Sequence, residues 1–228
     1  MNKIEIKNIG DVNRIGNERW GVEKMNKYTK ALYIIDMNNG FVNFGPMANP
    51  EYNKLVPEQL KMIEKFRREN QLVNFILEGH DKDALEFQKY PAHCIKGTPE
   101  ADLIPEFINE ANKPDTLLRY KNSINGMFNK YVQEDVMNAT NLKEMVVEGV
   151  CTDLCVMYFV INMLTYLDEI NKDVKLFVVK KAIDTFNSPE HNKEEWTNIA
   201  YKVLTSAGAI IVDDIEELEN KEKQYKLI

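Results

Sequence analysis

At 228 residues, 44% hydrophobic and 29% charged, the chain has a globular composition and enough length to bury a core without staples. Its net charge of -7 is spread along the sequence, which excludes the basic stripe of a nucleic-acid binder, and three cysteines do not make a disulfide framework. There is no N-terminal apolar h-region and no run of about eighteen apolar residues, so the expectation is a cytoplasmic protein without a membrane partner.

Residues 1–30 are rich in Asn, Lys and Glu and read as an N-terminal extension ahead of a single domain over 31–228. Ile4, Ile6 and Ile9 hint at a strand there, and Trp20 is placed to dock the extension on the body. Ala31–Asp36 is a continuous apolar run ending in a carboxylate, the pattern of a strand buried on both faces. After a Gly, Pro and Asn loop over 37–50, Pro57 opens an amphipathic helix to Glu69. Leu72–Leu77 is a second strand, with Glu78-Gly79-His80-Asp81 leaving its carboxyl end. The long irregular stretch that follows, up to Pro105, is of the kind that carries function. Thr116–Tyr120 is a third strand followed by Lys121, and a helix around Val132–Met137 leads to a fourth strand, Glu144–Val150. Leu154 to about Glu169 is apolar with helical period. Val174–Val179 reads as a fifth strand, Pro189–Ser206 as a helix, Ala209–Val212 as a sixth strand, and Asp213–Asn220 as a last helix. Strands alternating with helices predict an α/β fold. It has three layers, with a mostly parallel six-stranded sheet and helices on both faces.

In such sheets ligands bind beyond the carboxyl ends of the strands. Asp36, Glu78, His80, Lys121 and Cys155 all follow such ends. Val146–Met157 reads as strand, tight turn and helix, with Cys155 in the first helical turn, where the helix dipole favours a thiolate. Asp36 and Lys121 could serve that thiol as proton acceptor and stabilising charge, or simply form a salt bridge capping the sheet edge while Cys155 packs as a small apolar residue. Two of the three histidines, His80 and His93, lie among carboxylates over 78–93. That composition suits a divalent metal with open positions, or a solvated acidic loop.

Gly149-Val150-Cys151-Thr152-Asp153-Leu154-Cys155-Val156 resembles the nucleophile turn of the isochorismatase-like cysteine hydrolases. Asp36 with Phe41 five residues on, Lys121 after a strand, Tyr90-Pro91-Ala92-His93-Cys94 and Gly97-Thr98-Pro99 resemble the nicotinamidase (pyrazinamidase) branch. The resemblance runs from about Ala31 to Val212 and omits both tails. It implies a triad of Cys155 as nucleophile, Asp36 as proton shuttle and Lys121 as stabilising charge. It also implies a divalent metal, Zn before Fe or Mn, on His80 and His93 with Glu86, and with Glu78 where the family carries an aspartate one methylene shorter. Phe41 and Tyr90 would sandwich the substrate ring. A cis peptide between Val150 and Cys151 would aim the backbone amides of Cys151 and Cys155 into an oxyanion hole. The implied reaction is hydrolysis of nicotinamide to nicotinate and ammonia, a step of NAD salvage, in a protein that forms homo-oligomers. The stretch Asn122–Phe128 departs from the branch, which keeps another small amide open as substrate. A non-catalytic metal or ligand-binding protein on the same scaffold would have an unreactive Cys155. Isochorismatase itself lacks this cysteine, and a redox pair of Cys151 and Cys155 has three intervening residues where two are usual.

Overall fold

The computed structural model describes residues 19–226, so the strand hinted at by Ile4, Ile6 and Ile9 lies outside the described residues. Strands β1 (Lys30–Ile35), β2 (Leu72–Glu78), β3 (Thr116–Lys121), β4 (Glu144–Val150), β5 (Lys175–Asp184) and β6 (Ile210–Val212) form one sheet in the order β3-β2-β1-β4-β5-β6. Every neighbouring pair is parallel. Because side chains alternate across a strand, β1 serves two cores. Leu32 and Ile34 point to one layer with Phe66, Phe75 and Phe107, whereas Ala31, Tyr33 and Ile35 point to the other with Phe159, Val160 and Met163. Helices Val56–Arg68, Pro105–Ala111 and Ile215–Tyr225 cover the first face; Lys130–Asn138, Met157–Glu169 and Lys193–Ser206 cover the second. Burying each large apolar side chain of these layers contributes about 1.5–3 kcal/mol. The three-layer α/β/α expectation holds. No helix among the described residues is long and apolar enough to cross a membrane.

Several boundaries differ from the sequence reading for identifiable reasons. β5 runs on to Asp184, past Lys180 and Lys181, which interrupt the apolar run but are exposed and paired with Asp213 and Asp214. The helix expected from Pro189 starts at Lys193, because Ser188 and His191 close a turn on each other and Asn192 caps the helix by accepting from Glu195 N. Pro105–Ala111, too short to show a period, is a helix, and so is Asn39–Val42 within the first loop. Trp20 is buried and stacks on Tyr28, docking the chain that leads into β1 as expected.

Two core positions carry predictions. Gly149 adopts φ +118°, and a Cβ there would stand 2.0 Å from the Ile35 carbonyl oxygen of β1. Gly149→Ala should destabilise the fold by more than about 3 kcal/mol, read as a fall in the denaturant midpoint; an unchanged midpoint would show that β1 and β4 can separate freely there. Glu144 is buried at the opposite end of β4, 3.8 Å from Lys30, whose ammonium is closer to Glu222 (2.7 Å) and Glu69 (2.9 Å). Burial, reinforced by Glu222, pushes the Glu144 carboxyl up to about 9. The folded state therefore holds a proton that the unfolded chain releases from about pH 4.5 upward, and wild-type stability is lost as pH rises towards 9. Glu144→Gln should gain on the wild type by up to about 5 kcal/mol at pH 8 and nothing near pH 4, where both states are protonated. Thermal unfolding at the two pH values decides this, and equal offsets at both would refute it.

Candidate active site

The strand order reverses between β1 and β4, and the carboxyl ends of β2, β1 and β4 open there into a cavity of about 440 Å³. Asp36 leaves β1 in a left-handed conformation (φ +54°) while its amide donates to Ile76 O (2.8 Å), which keeps the side chain at the strand edge. Asn38 then ties the two strand ends together, its Nδ2 donating to the Glu78 (2.9 Å) and Ala101 (2.8 Å) carbonyls. Lys121, the last residue of β3, reaches across β2 into the same space. Its Nζ lies 2.8 Å from Asp36 Oδ2, 2.5 Å from Glu78 Oε1 and 3.7 Å from Cys155 Sγ, with all four side chains buried.

The turn after β4 is not the regular first helical turn that the sequence suggests. The Val150–Cys151 peptide is cis, as the family resemblance implies, and Thr152–Val156 forms a π turn before the α-helix begins at Met157. Leu154 N and Val156 N both donate to Cys151 O (3.1 Å each), which folds the turn around the Cys151 carbonyl and brings Cys155 over Lys121. Electrostatics also depart from the dipole expectation. Burial pushes the Cys155 thiol well above its ordinary value, against the pull of Lys121. Burial likewise raises Asp36, to about 7, with Lys121 opposing. For Lys121 burial acts downward, but Asp36, Cys155 and Glu78 outweigh it and hold the ammonium well above its usual range. For Glu78 burial acts upward, but Lys121 and the two histidines outweigh it and hold the carboxyl well below. The resting site is thus a protonated thiol beside a buried ammonium and its carboxylates.

Glu78 joins this group to a second one. Its Oε2 lies 3.1 Å from His80 Nε2 and 2.9 Å from His93 Nε2. The loop carrying His93 docks beside His80 through two backbone bonds, His80 N to Cys94 O and Lys96 N to His80 O (2.9 Å each). His93 Nδ1 donates to the Pro91 carbonyl (2.7 Å), which turns Nε2 inward towards Glu78 as the nitrogen that would face a cation. Glu86 completes the cluster, its Oε2 accepting from Ile124 N (3.0 Å), and ligand atoms of Glu78, His80, Glu86 and His93 all lie within 4.8 Å of one another. Two imidazole nitrogens and two carboxylates converging on one point fit a divalent cation, and Zn, Fe or Mn suit that donor set.

Every residue expected at the site is therefore brought to one place. Phe41 and Tyr90 line the cavity together with Glu78, Glu86, His93, Cys151 and Cys155, and Phe41 meets the His93 ring edge-on at 5.4 Å. The structure adds wall residues that sequence reasoning missed, among them Tyr52, whose hydroxyl is 3.3 Å from Cys151 Sγ, with Met47 and Phe186. Tyr52 and Phe186 sit in segments without motif or period, so no local signal marked them.

Comparison with known proteins identifies the family. A model of the isochorismatase domain matches residues 30–213. Nicotinamidase 1 of Arabidopsis thaliana is 30% identical over 175 residues, 71% of each chain. The isochorismatase family protein PncA of Bacillus subtilis (strain 168) is 27% identical over 174 residues, 71% of this chain and 90% of that one. Among solved structures, the zinc complex of Pyrococcus horikoshii pyrazinamidase superposes with a TM-score of 0.67 at 20% identity, over 81% of this chain and 99% of that one. With a domain match across the whole sheet and the turn before Cys155 inside it, the chain belongs to the isochorismatase family of hydrolases.

Proposed function

We propose that the protein is a nicotinamidase-type amidohydrolase that converts nicotinamide and water to nicotinate and ammonia through a thioester on Cys155. The observation that carries this reading is the buried Lys121 ammonium, held 2.8 Å from Asp36 and 3.7 Å from Cys155, whose side chain lines a cavity walled by aromatic rings. Phe41 and Tyr90 would hold a flat ring, and Glu78, His80, Glu86 and His93 would hold a divalent cation, zinc best. When bound, that cation supplies a Lewis-acid anchor for a ring nitrogen. Because the thiol is protonated at rest, its proton passes to the Asp36 carboxylate as sulfur bonds to the carbonyl carbon. Lys121 balances the charge on the Asp36 side, and the amides of Cys151 and Cys155 receive the oxyanion. Asp36 then returns the proton to the nitrogen, the C–N bond breaks and ammonia leaves. Asp36 next takes a proton from water as the hydroxide adds to the thioester; the C–S bond then breaks, Asp36 returns that proton to the sulfur, and the acid departs with the Cys155 thiol restored.

A cavity of about 440 Å³ is within the range of drug-sized pockets, and Ile124 of the divergent stretch lines it. Both facts favour a different small carboxamide as the second reading. Ammonia release from nicotinamide and from a panel of carboxamides and ureides, before and after chelation and metal restoration, tests the two together. No release from any of them by metal-replete protein would exclude the amidohydrolase. His93→Ala should weaken metal binding by at least about 100-fold, measured as metal retained after dialysis; full retention would move the metal elsewhere.

A further inference from the structure

The third histidine approaches the nucleophile turn from the end of β5. His191 Nε2 donates to Asp153 Oδ2 (2.8 Å), and its Nδ1 lies 3.1 Å from the Phe186 carbonyl oxygen. Its ring is sandwiched between Phe186 (centroids 3.9 Å apart, planes at 14°) and Trp196 (5.2 Å, 4°). Asp153 is buried inside the π turn, two residues before Cys155. Phe186, at the other end of the stack, lines the cavity that contains Cys155. His191 itself is fixed from behind, since it exchanges backbone bonds with Ser188 (3.0 and 3.1 Å) and Asn192 after it caps the helix Lys193–Ser206.

We propose that His191 is a positioning residue with two separable tasks: its hydrogen bond to Asp153 sets the turn that presents Cys155, and its ring stack sets Phe186 as a wall of the substrate cavity. Without a donor, the buried Asp153 carboxylate must turn towards water, and a side chain inside a five-residue turn cannot do so without carrying the Cys155 backbone with it. Without a flat ring between Phe186 and Trp196, the wall loses its backing while the turn keeps its anchor. The role assigned to Phe186 rests on the amidohydrolase reading; the role assigned to Asp153 is readable without any substrate.

Two variants separate the tasks. His191→Phe keeps a ring in the stack but cannot donate, whereas His191→Gln can donate through its amide but cannot stack. Each is assayed well below its own unfolding temperature for alkylation of Cys155 by iodoacetamide, located by mass spectrometry, and for kcat and KM on the amide that the wild type hydrolyses. In His191→Phe, alkylation and kcat should both change, kcat falling about tenfold with KM within about twofold, because a charged hydrogen bond at the turn is lost. In His191→Gln, KM should rise about fivefold while kcat and the alkylation rate stay within about twofold of wild type. Wild-type behaviour of His191→Phe overturns the proposal, and so do parallel losses in both variants, which mark a merely structural residue. Should His191→Phe fail to fold, Asp153→Asn takes its place. It keeps the shape and weakens the bond, and an unchanged alkylation rate and kcat overturn the proposal equally. If wild type hydrolyses no amide yet His191→Phe alone alters alkylation, the amidohydrolase reading falls and the positioning role stands.

Discussion

Cys155→Ala should lose at least about 10⁴-fold in turnover while leaving the fold and the cluster of Glu78, His80, Glu86 and His93 in place. The side chain is buried, but only a sulfur is removed, so stability should fall by no more than about 1–2 kcal/mol. Lys121 keeps its two carboxylate partners, and the histidine cluster is untouched because none of its ligand atoms comes from the turn. Ammonia release, near-ultraviolet circular dichroism and metal content, measured on one preparation, separate loss of chemistry from loss of structure. Residual activity within about tenfold of wild type would exclude a covalent route, because no other thiol is positioned to replace this one. Cys151 also lines the cavity, but burial pushes its thiol up to about 12, against a hydrogen bond to Tyr52. Cys94 is fully buried against Gly40 and Glu100.

The strands and most site residues were legible because both signals are local. An apolar run followed by a polar residue marks a strand and its carboxyl end, and Asp36, Glu78, Lys121 and the turn before Cys155 all follow that rule. What the sequence could not show depends on contacts far along the chain. The π turn is folded around the Cys151 carbonyl, and nothing in Thr152–Val156 distinguishes that from a regular helix start. Tyr52 meets Cys151 across 99 residues, and His191 meets Asp153 across 38. The dipole argument for a thiolate failed on magnitude. Half a charge at a helix end is worth at most about 2 kcal/mol, less than the burial of a thiol among two carboxylates. The longer side chain at Glu78 reads differently once placed. Its extra methylene lets one oxygen reach Lys121 and the other reach both histidines, so one carboxylate links the two halves of the site.

Lys121→Met is the substitution that tests that linkage most severely. Met fills much of the same volume but leaves the buried Asp36 and Glu78 carboxylates without the cation that lies 2.8 and 2.5 Å from them. Two such charges cannot both stay ionised in a closed site, so one takes up a proton. Asp36 is the group that should do so, since burial already holds it at about 7 and Lys121 is the main influence holding it down, whereas Glu78 keeps its two histidines. A protonated Asp36 cannot accept the Cys155 proton. Activity at neutral pH should therefore fall by at least about 10³-fold, and the ascending limb of the pH profile should move to higher pH, because the carboxylate form of Asp36 is reached later. Stability should fall by about 3–5 kcal/mol, the usual cost of breaking a buried ion pair from one side. Lys121→Arg should not rescue activity, because a planar fork cannot occupy the point where a single ammonium meets two carboxylates and a thiol. The decisive comparison is the pH profile against the unfolding free energy. A less stable variant with an unshifted profile would make Lys121 a structural ion pair, and an upward shift would make it the charge on which the proton shuttle depends.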